Sequence, residues 1–183
     1  NWYADTRATL VDIFGEGDLP LVAKLLAATS INTSLKSNIT LFRRAYYEIK
    51  NDLPVGDYLP NIQAQLRQVR AGGELTGRKI NSFARSMQGD VNAVVVDIWL
   101  LRAFGEDRKY KRALSGLERS GGATDKQYTT IEAWVRKEAF YRHLTPCELG
   151  AMIWGGVRRE QSGDNETRYC DFLKYQFSNL FNV

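Results

Sequence analysis

The sequence predicts an all-α fold, and three observations carry that prediction. Apolar residues recur at three- and four-residue intervals in one stretch after another, as helices with one buried face require. Glycine, proline, serine, asparagine and aspartate gather between those stretches, where they act as breaks. No internal repeat or low-complexity segment interrupts the pattern.

In chain order, Trp2 to Phe14 and Leu19 to Ala28 carry helical spacing and are parted by Gly15-Glu16-Gly17. Ser34 to Lys50 follows a Ser-Ile-Asn-Thr turn and stops at Asn51-Asp52-Leu53-Pro54. Leu59 to Val69 aligns Ile62, Leu66 and Val69 on one face. Thr76 is placed to cap the next helix, its hydroxyl accepting an otherwise orphaned backbone N–H. Ile80, Phe83, Ala84 and Met87 form that helix's apolar face, and Gly89 ends it. Val91 to Val96 is apolar and rich in β-branched residues, so a short strand over Val94 to Val96 competes with a plain connector. Asp97 caps Ile98 to Phe104, which ends at Gly105. Lys109 to Leu117, Tyr128 to Leu144, Pro146 to Arg159 and Glu166 to Leu180 follow. Pro146 occupies the first helical position, with Thr145 as N-cap and Glu148 in the first turn. Ser120 to Ala123 and Gln161 to Asp164 read as loops.

At 183 residues the chain suits one domain or a two-lobed one, with about 70% of its unfolded surface buried. The net charge of +4 suits a polyanionic partner without demanding one. No apolar run reaches the ~20 residues that cross a bilayer, and Asn1 to Leu10 lacks a signal-peptide pattern, so no membrane partner is expected and a cytoplasmic location is. The missing initiator methionine fits a processed or trimmed chain. Two cysteines, Cys147 and Cys170, cannot build a four-thiolate cluster, and one histidine, His143, adds only one more soft ligand, so no zinc or iron–sulfur site and no cofactor is expected. His143 reads as a helix C-terminal residue favoured by the dipole.

The most informative stretch runs from Gly72 to Gly105. Lys79 opens one predicted helix behind Gly77-Arg78, and Asp97 opens the next behind Val94-Val95-Val96, eighteen positions on. An amine near a carboxylate, beside a glycine turn able to accept a phosphate, is equipment for attack on a sugar carbon of DNA.

These residues resemble the catalytic core of the helix-hairpin-helix DNA glycosylases, the endonuclease III and 8-oxoguanine glycosylase branches above all, in a divergent phage or bacterial form. The resemblance covers Leu19 to Gly105, about half the chain, and includes Leu25-Leu26-Ala27-Ala28-Thr29-Ser30, similar to the family's early helix near the flipped base. It implies a two-lobed helical domain, with Leu19–Gly105 as the hairpin-containing catalytic region and residues 1–18 plus 106–183 as the second lobe. Three departures stand out. The family's Leu-Pro-Gly-x-Gly hairpin falls on Gly73-Glu74-Leu75-Thr76-Gly77, so only Gly77 is kept and Glu74 adds a negative charge. Trp99 stands where the family often has histidine, and no iron–sulfur loop is present.

The implied activity is excision of a damaged or modified base, with abasic-site lyase activity and DNA as partner, by a monomer in the nucleoid. Asp97 would stabilise oxocarbenium character on the sugar or accept a proton, and Lys79 would attack C1′ to give a Schiff base. Free lysine, with a pKa of ~10.4, needs desolvation or a cationic neighbour such as Arg78 to become nucleophilic. Thr76, Gly77, Arg78 and Arg85, with Lys109 and Lys111 of the Arg108–Arg112 basic cluster, are the candidate DNA contacts. Trp99, Asn32 and Gln88 are candidates for a flipped-base pocket, although core packing is the better account of Trp99. Tyr128, Trp134, Phe140 and Tyr141 read as helix packing, and Met152-Ile153-Trp154 before Gly155-Gly156 as core at a close helix crossing. A DNA-binding or base-modification protein without excision, and a helical interaction module, are the alternatives.

Overall fold

The computed structural model describes residues 2–106, 123–162 and 169–177. All regular structure among these residues is helical. The helices are α1 (Trp2–Phe14), α2 (Leu19–Thr29), α3 (Leu35–Lys50), α4 (Pro60–Arg70), α5 (Arg78–Met87), α6 (Ile98–Glu106), α7 (Asp125–Tyr141), α8 (Pro146–Ser162) and α9 (Tyr169–Phe177), with a 3-10 turn at Glu16–Asp18. The predicted Lys109 to Leu117 helix, Gly163-Asp164 and most of the Ser120 to Ala123 loop lie outside the described residues.

The chain forms two compact units. One comprises Trp2–Gly89 with Thr167–Val183, the other Asp90–Glu166. The resemblance placed the lobe limits at 18/19 and 105/106; the units part at Gly89/Asp90 and Glu166/Thr167. α1 goes with α2 to α5 because Trp2 and Tyr3 bring their rings against Phe83 of α5, with centroids 6.1 and 6.2 Å away.

In the first unit α2 is the central helix, packed by α1, α3, α4 and α5. Its residues Val22, Ala23 and Leu25 to Ala28 have no exposed surface, which the small and apolar sequence permits. Ser34 caps α3 by accepting from the Ser37 N–H. α9 returns to pack on α1 and α3. There Phe177 meets Phe14 and Phe42 with ring centroids 4.9 and 5.5 Å apart, and Leu173 is fully buried. A polar clasp holds the loop after α3. The buried Glu48 carboxylate accepts from Tyr58 Oη at 2.8 Å and from Arg44 Nε at 2.8 Å, while Arg44 also donates to Gly56 O at 2.7 Å.

The core of the second unit contains Val94, Val96, Leu100, Leu101, Phe104, Tyr128, Ile131, Val135, Ala139 and Leu149. Val94 to Val96 forms no strand. The buried Tyr128 hydroxyl donates to Val94 O at 2.8 Å and accepts from Val96 N at 3.3 Å, so a side chain satisfies the backbone groups a neighbouring strand would have taken. Thr124 and Gln127 form a capping box that starts α7 at Asp125, ahead of the expected Tyr128. At the other end, His143 lies beyond the helix in the left-handed region, φ 55°. The Leu144 N–H reaches Ala139 O at 2.9 Å and the His143 N–H reaches Phe140 O at 3.2 Å, closing the helix with histidine where glycine is usual. Trp134 packs edge-on to Phe104 as expected, but Phe140 and Tyr141 are exposed (77% and 64%). Nor is Met152-Ile153-Trp154 a core block at a close crossing. Met152 is exposed, and a Cβ built on Gly155 or Gly156 meets nothing within 4 Å.

Candidate catalytic residues and nucleic-acid contacts

α5 starts at Gly77, whose φ of 99° and ψ of 133° suit a residue without a side chain. The requirement is torsional, since an added Cβ would find only Ile80 Cγ1, at 3.8 Å. Asn81 ties the turn by donating through Nδ2 to Leu75 O at 2.6 Å and Gly77 O at 3.1 Å. Thr76 is not the N-cap. Its hydroxyl accepts from Gln65 Nε2 of α4 at 2.6 Å and its N–H donates to Gln65 Oε1 at 2.9 Å, so a neighbouring helix holds it away from the α5 start. No side chain caps α5.

Arg78 and Lys79, the first two residues of α5, are half-buried, and Arg85 is exposed further along. Lys79 therefore sits in the first turn, at the positive end of the helix dipole, a place suited to an anion rather than to a second cation. The two hairpin departures have structural outcomes. Leu75 is buried, and Glu74 is paired with Lys24 of α2 at 2.7 Å, so its charge is already met. Gln88 caps the far end of α5, about 13 Å from Lys79 at 1.5 Å per residue. Asn32 lies in the α2–α3 turn, exposed and left-handed at φ 54°, where asparagine is among the few residues at ease. The helix axis thus separates Gln88 from Lys79.

Asp97 belongs to the second unit, and Lys79 to the first. It is the predicted N-cap of α6. Its Oδ1 accepts from the backbone N–H groups of Trp99 and Leu100, both at 3.0 Å. Its Oδ2 accepts from the indole Nε1 of Trp154 at 2.8 Å. Trp99, two residues on, is half-buried, and the Arg102 guanidinium lies 4.5 Å from its ring centre. Trp154 of α8 carries Arg158 in the same way, at 4.9 Å. The Asp97 carboxylate is thus attached to two tryptophans, each with an arginine over its ring.

A family model matches residues 1–161. The chain belongs to the family of unknown function DUF7178. The DUF7178 match takes in Lys79, Asp97 and Trp154 and stops before α9. No curated protein and no solved structure matches the chain.

Trp154 and Arg158 were missed in the sequence as site residues. The available signal was the paired spacing Trp99–Arg102 and Trp154–Arg158, three and four residues apart, which puts each guanidinium beside its ring on a helix. Lys109 and Lys111 lie outside the described residues. No described helix is long and apolar enough to cross a membrane.

Proposed function

We propose that this chain is a DNA N-glycosylase with abasic-site lyase activity, Lys79 acting as nucleophile and Asp97 as the electrostatic partner. The observation that carries the reading is the Asp97 carboxylate, capped onto α6 and bonded to Trp154. A carboxylate anion held in this way suits stabilisation of oxocarbenium character on the sugar. Lys79 Nζ, attacking as the neutral amine, would form the bond to C1′ as the N-glycosidic bond breaks, and the departing base would keep the bonding pair and receive, relayed by water, the proton that the new secondary ammonium sheds. Ring opening then gives the imine, and loss of the C2′ proton expels the 3′ phosphate by β-elimination. The base must first leave the stack, for which Trp99 is the aromatic candidate.

Borohydride trapping tests this on duplexes carrying an abasic site, 8-oxoguanine, thymine glycol or uracil. The parent chain becomes covalently attached to at least one of them, and Lys79→Ala abolishes the adduct while DNA affinity changes little. Binding weakens steeply with salt, as three to five phosphate contacts, roughly, would require. Trapping by Lys79→Ala equal to the parent's would move the chemistry to another amine.

A second reading is a DNA-binding protein without excision. Burial of Leu75 where the family's hairpin has glycine favours it, because the turn then offers less bare backbone to a phosphate. Salt-dependent binding with no adduct and no base release on any of the four duplexes would decide for it.

A further inference from the structure

Asp97 is held from two separate parts of the chain. The start of α6 fixes Oδ1 through two backbone N–H groups, and Trp154, fifty-seven residues later on α8, fixes Oδ2. The cap bonds act on one oxygen, and the indole N–H adds a donor at 2.8 Å on the other, so the planar carboxylate is held at both of its oxygens. The indole is itself held. Its helix packs on α6, and Arg158 lies over its ring at 4.9 Å.

We propose that Trp154 is a positioning residue for the Asp97 carboxylate, its indole N–H setting the orientation in which the anion meets a developing positive charge on the substrate sugar. This rests on the glycosylase reading for its catalytic consequence, and on the hydrogen bonds alone for the positioning. An oriented anion stabilises a transition-state cation better than a rotating one, because no reorganisation is needed at the moment of reaction.

Trp154→Phe keeps a ring and removes the donor; Trp154→His keeps a ring N–H. The parent chain and both variants are compared in three measurements: single-turnover base release from the lesion duplex that the parent cleaves fastest, borohydride trapping on a preformed abasic duplex, and amide hydrogen exchange at Trp99 and Leu100. In Trp154→Phe, base release falls about tenfold, the effect of one such hydrogen bond. Trapping on the abasic duplex stays within about twofold, because the glycosidic bond is already gone and Lys79 needs only the aldehyde. Exchange at the two capped amides quickens, and Trp154→His recovers part of both losses. If base release and abasic trapping fall together with the melting temperature, Trp154 is a packing residue and the inference is overturned. Unchanged base release with unchanged exchange overturns it as well. Should the parent neither release a base nor trap, the glycosylase reading fails by itself. Amide exchange then decides the positioning, with faster exchange in Trp154→Phe upholding it and equal exchange ending it.

Discussion

Replacing Asp97 by asparagine sets three donors against one acceptor. In the parent, Oδ1 serves two backbone N–H groups and Oδ2 serves the indole of Trp154. Asparagine caps helices about as well as aspartate, so its single oxygen can take over the α6 bonds at little cost. Its amide nitrogen then faces Trp154 Nε1 across the 2.8 Å the oxygen had bridged, and two donors meet head to head. Losing the charge-assisted bond and setting two donors against each other costs about 1.5 kcal/mol at this part-buried position, and losing the anion at a helix start about 0.5 more. Asp97→Asn should therefore destabilise by about 2 kcal/mol and Asp97→Ala, which also removes the cap, by about 3. The decisive measurement is the cycle with Trp154→Phe. Phenylalanine removes the conflict, so the double variant should be more stable than the sum of the single costs predicts, by about 1 kcal/mol or more. Urea unfolding followed by tryptophan fluorescence is the assay, because Trp99, Trp134 and Trp154 of the four tryptophans lie in the unit concerned. Strict additivity, within about 0.3 kcal/mol at unchanged m, would refute the coupling and the geometry behind it.

Other outcomes follow from single features. Gly77→Ala should cost about 1–3 kcal/mol in urea unfolding, because φ 99° is hostile to any L side chain although space is available. Tyr58→Phe should cost about 1–2 kcal/mol, since the buried Glu48 loses one of its two donors in the clasp. Burial first, then its bond to Glu48, pushes the Tyr58 phenol well above 10. The folded state therefore holds a proton that the unfolded chain releases near pH 10. This contribution is complete below that pH and is lost as pH rises beyond it, and absorbance titration should show Tyr58→Phe missing one tyrosine step above pH ~10. The Thr145 N–H and hydroxyl hold Glu148 below its ordinary carboxylate range, so this part of the stability is present above the unfolded value of ~4.3 and is lost as pH falls through the lower folded one. Glu148→Gln should flatten the acid limb of melting temperature against pH.

What was legible in the sequence was local. Asp97 as the α6 cap and Thr145–Glu148 at the start of α8 depend on neighbours within three residues, and both stand as expected. Thr76 carried an equally good capping signal and failed, because Gln65 of another helix competes for the same hydroxyl. Val94 to Val96 has strand chemistry, but the residue that satisfies its backbone, Tyr128, comes more than thirty positions later. The bond from Trp154 to Asp97 spans fifty-seven positions and has no local pattern at all. Phe140 and Tyr141 fit helical spacing, yet spacing assigns a face and does not say whether anything covers it.

The path of the chain also constrains how it comes to be folded. Among the described residues, Leu173 and Phe177 join a core drawn from Trp2–Gly89, and all of Asp90–Glu166 comes between the two contributions in sequence. On a ribosome, α1 to α5 emerge first but must wait, with Phe14, Phe42 and Tyr46 still lacking the Phe177 ring, until the inserted unit has been synthesised. The inserted unit can close on its own contacts in that interval, whereas the outer one must close a loop of well over a hundred residues, a slow and sequence-distant step. The order of synthesis and the order of completion are therefore inverted: the unit begun first is the last to be finished.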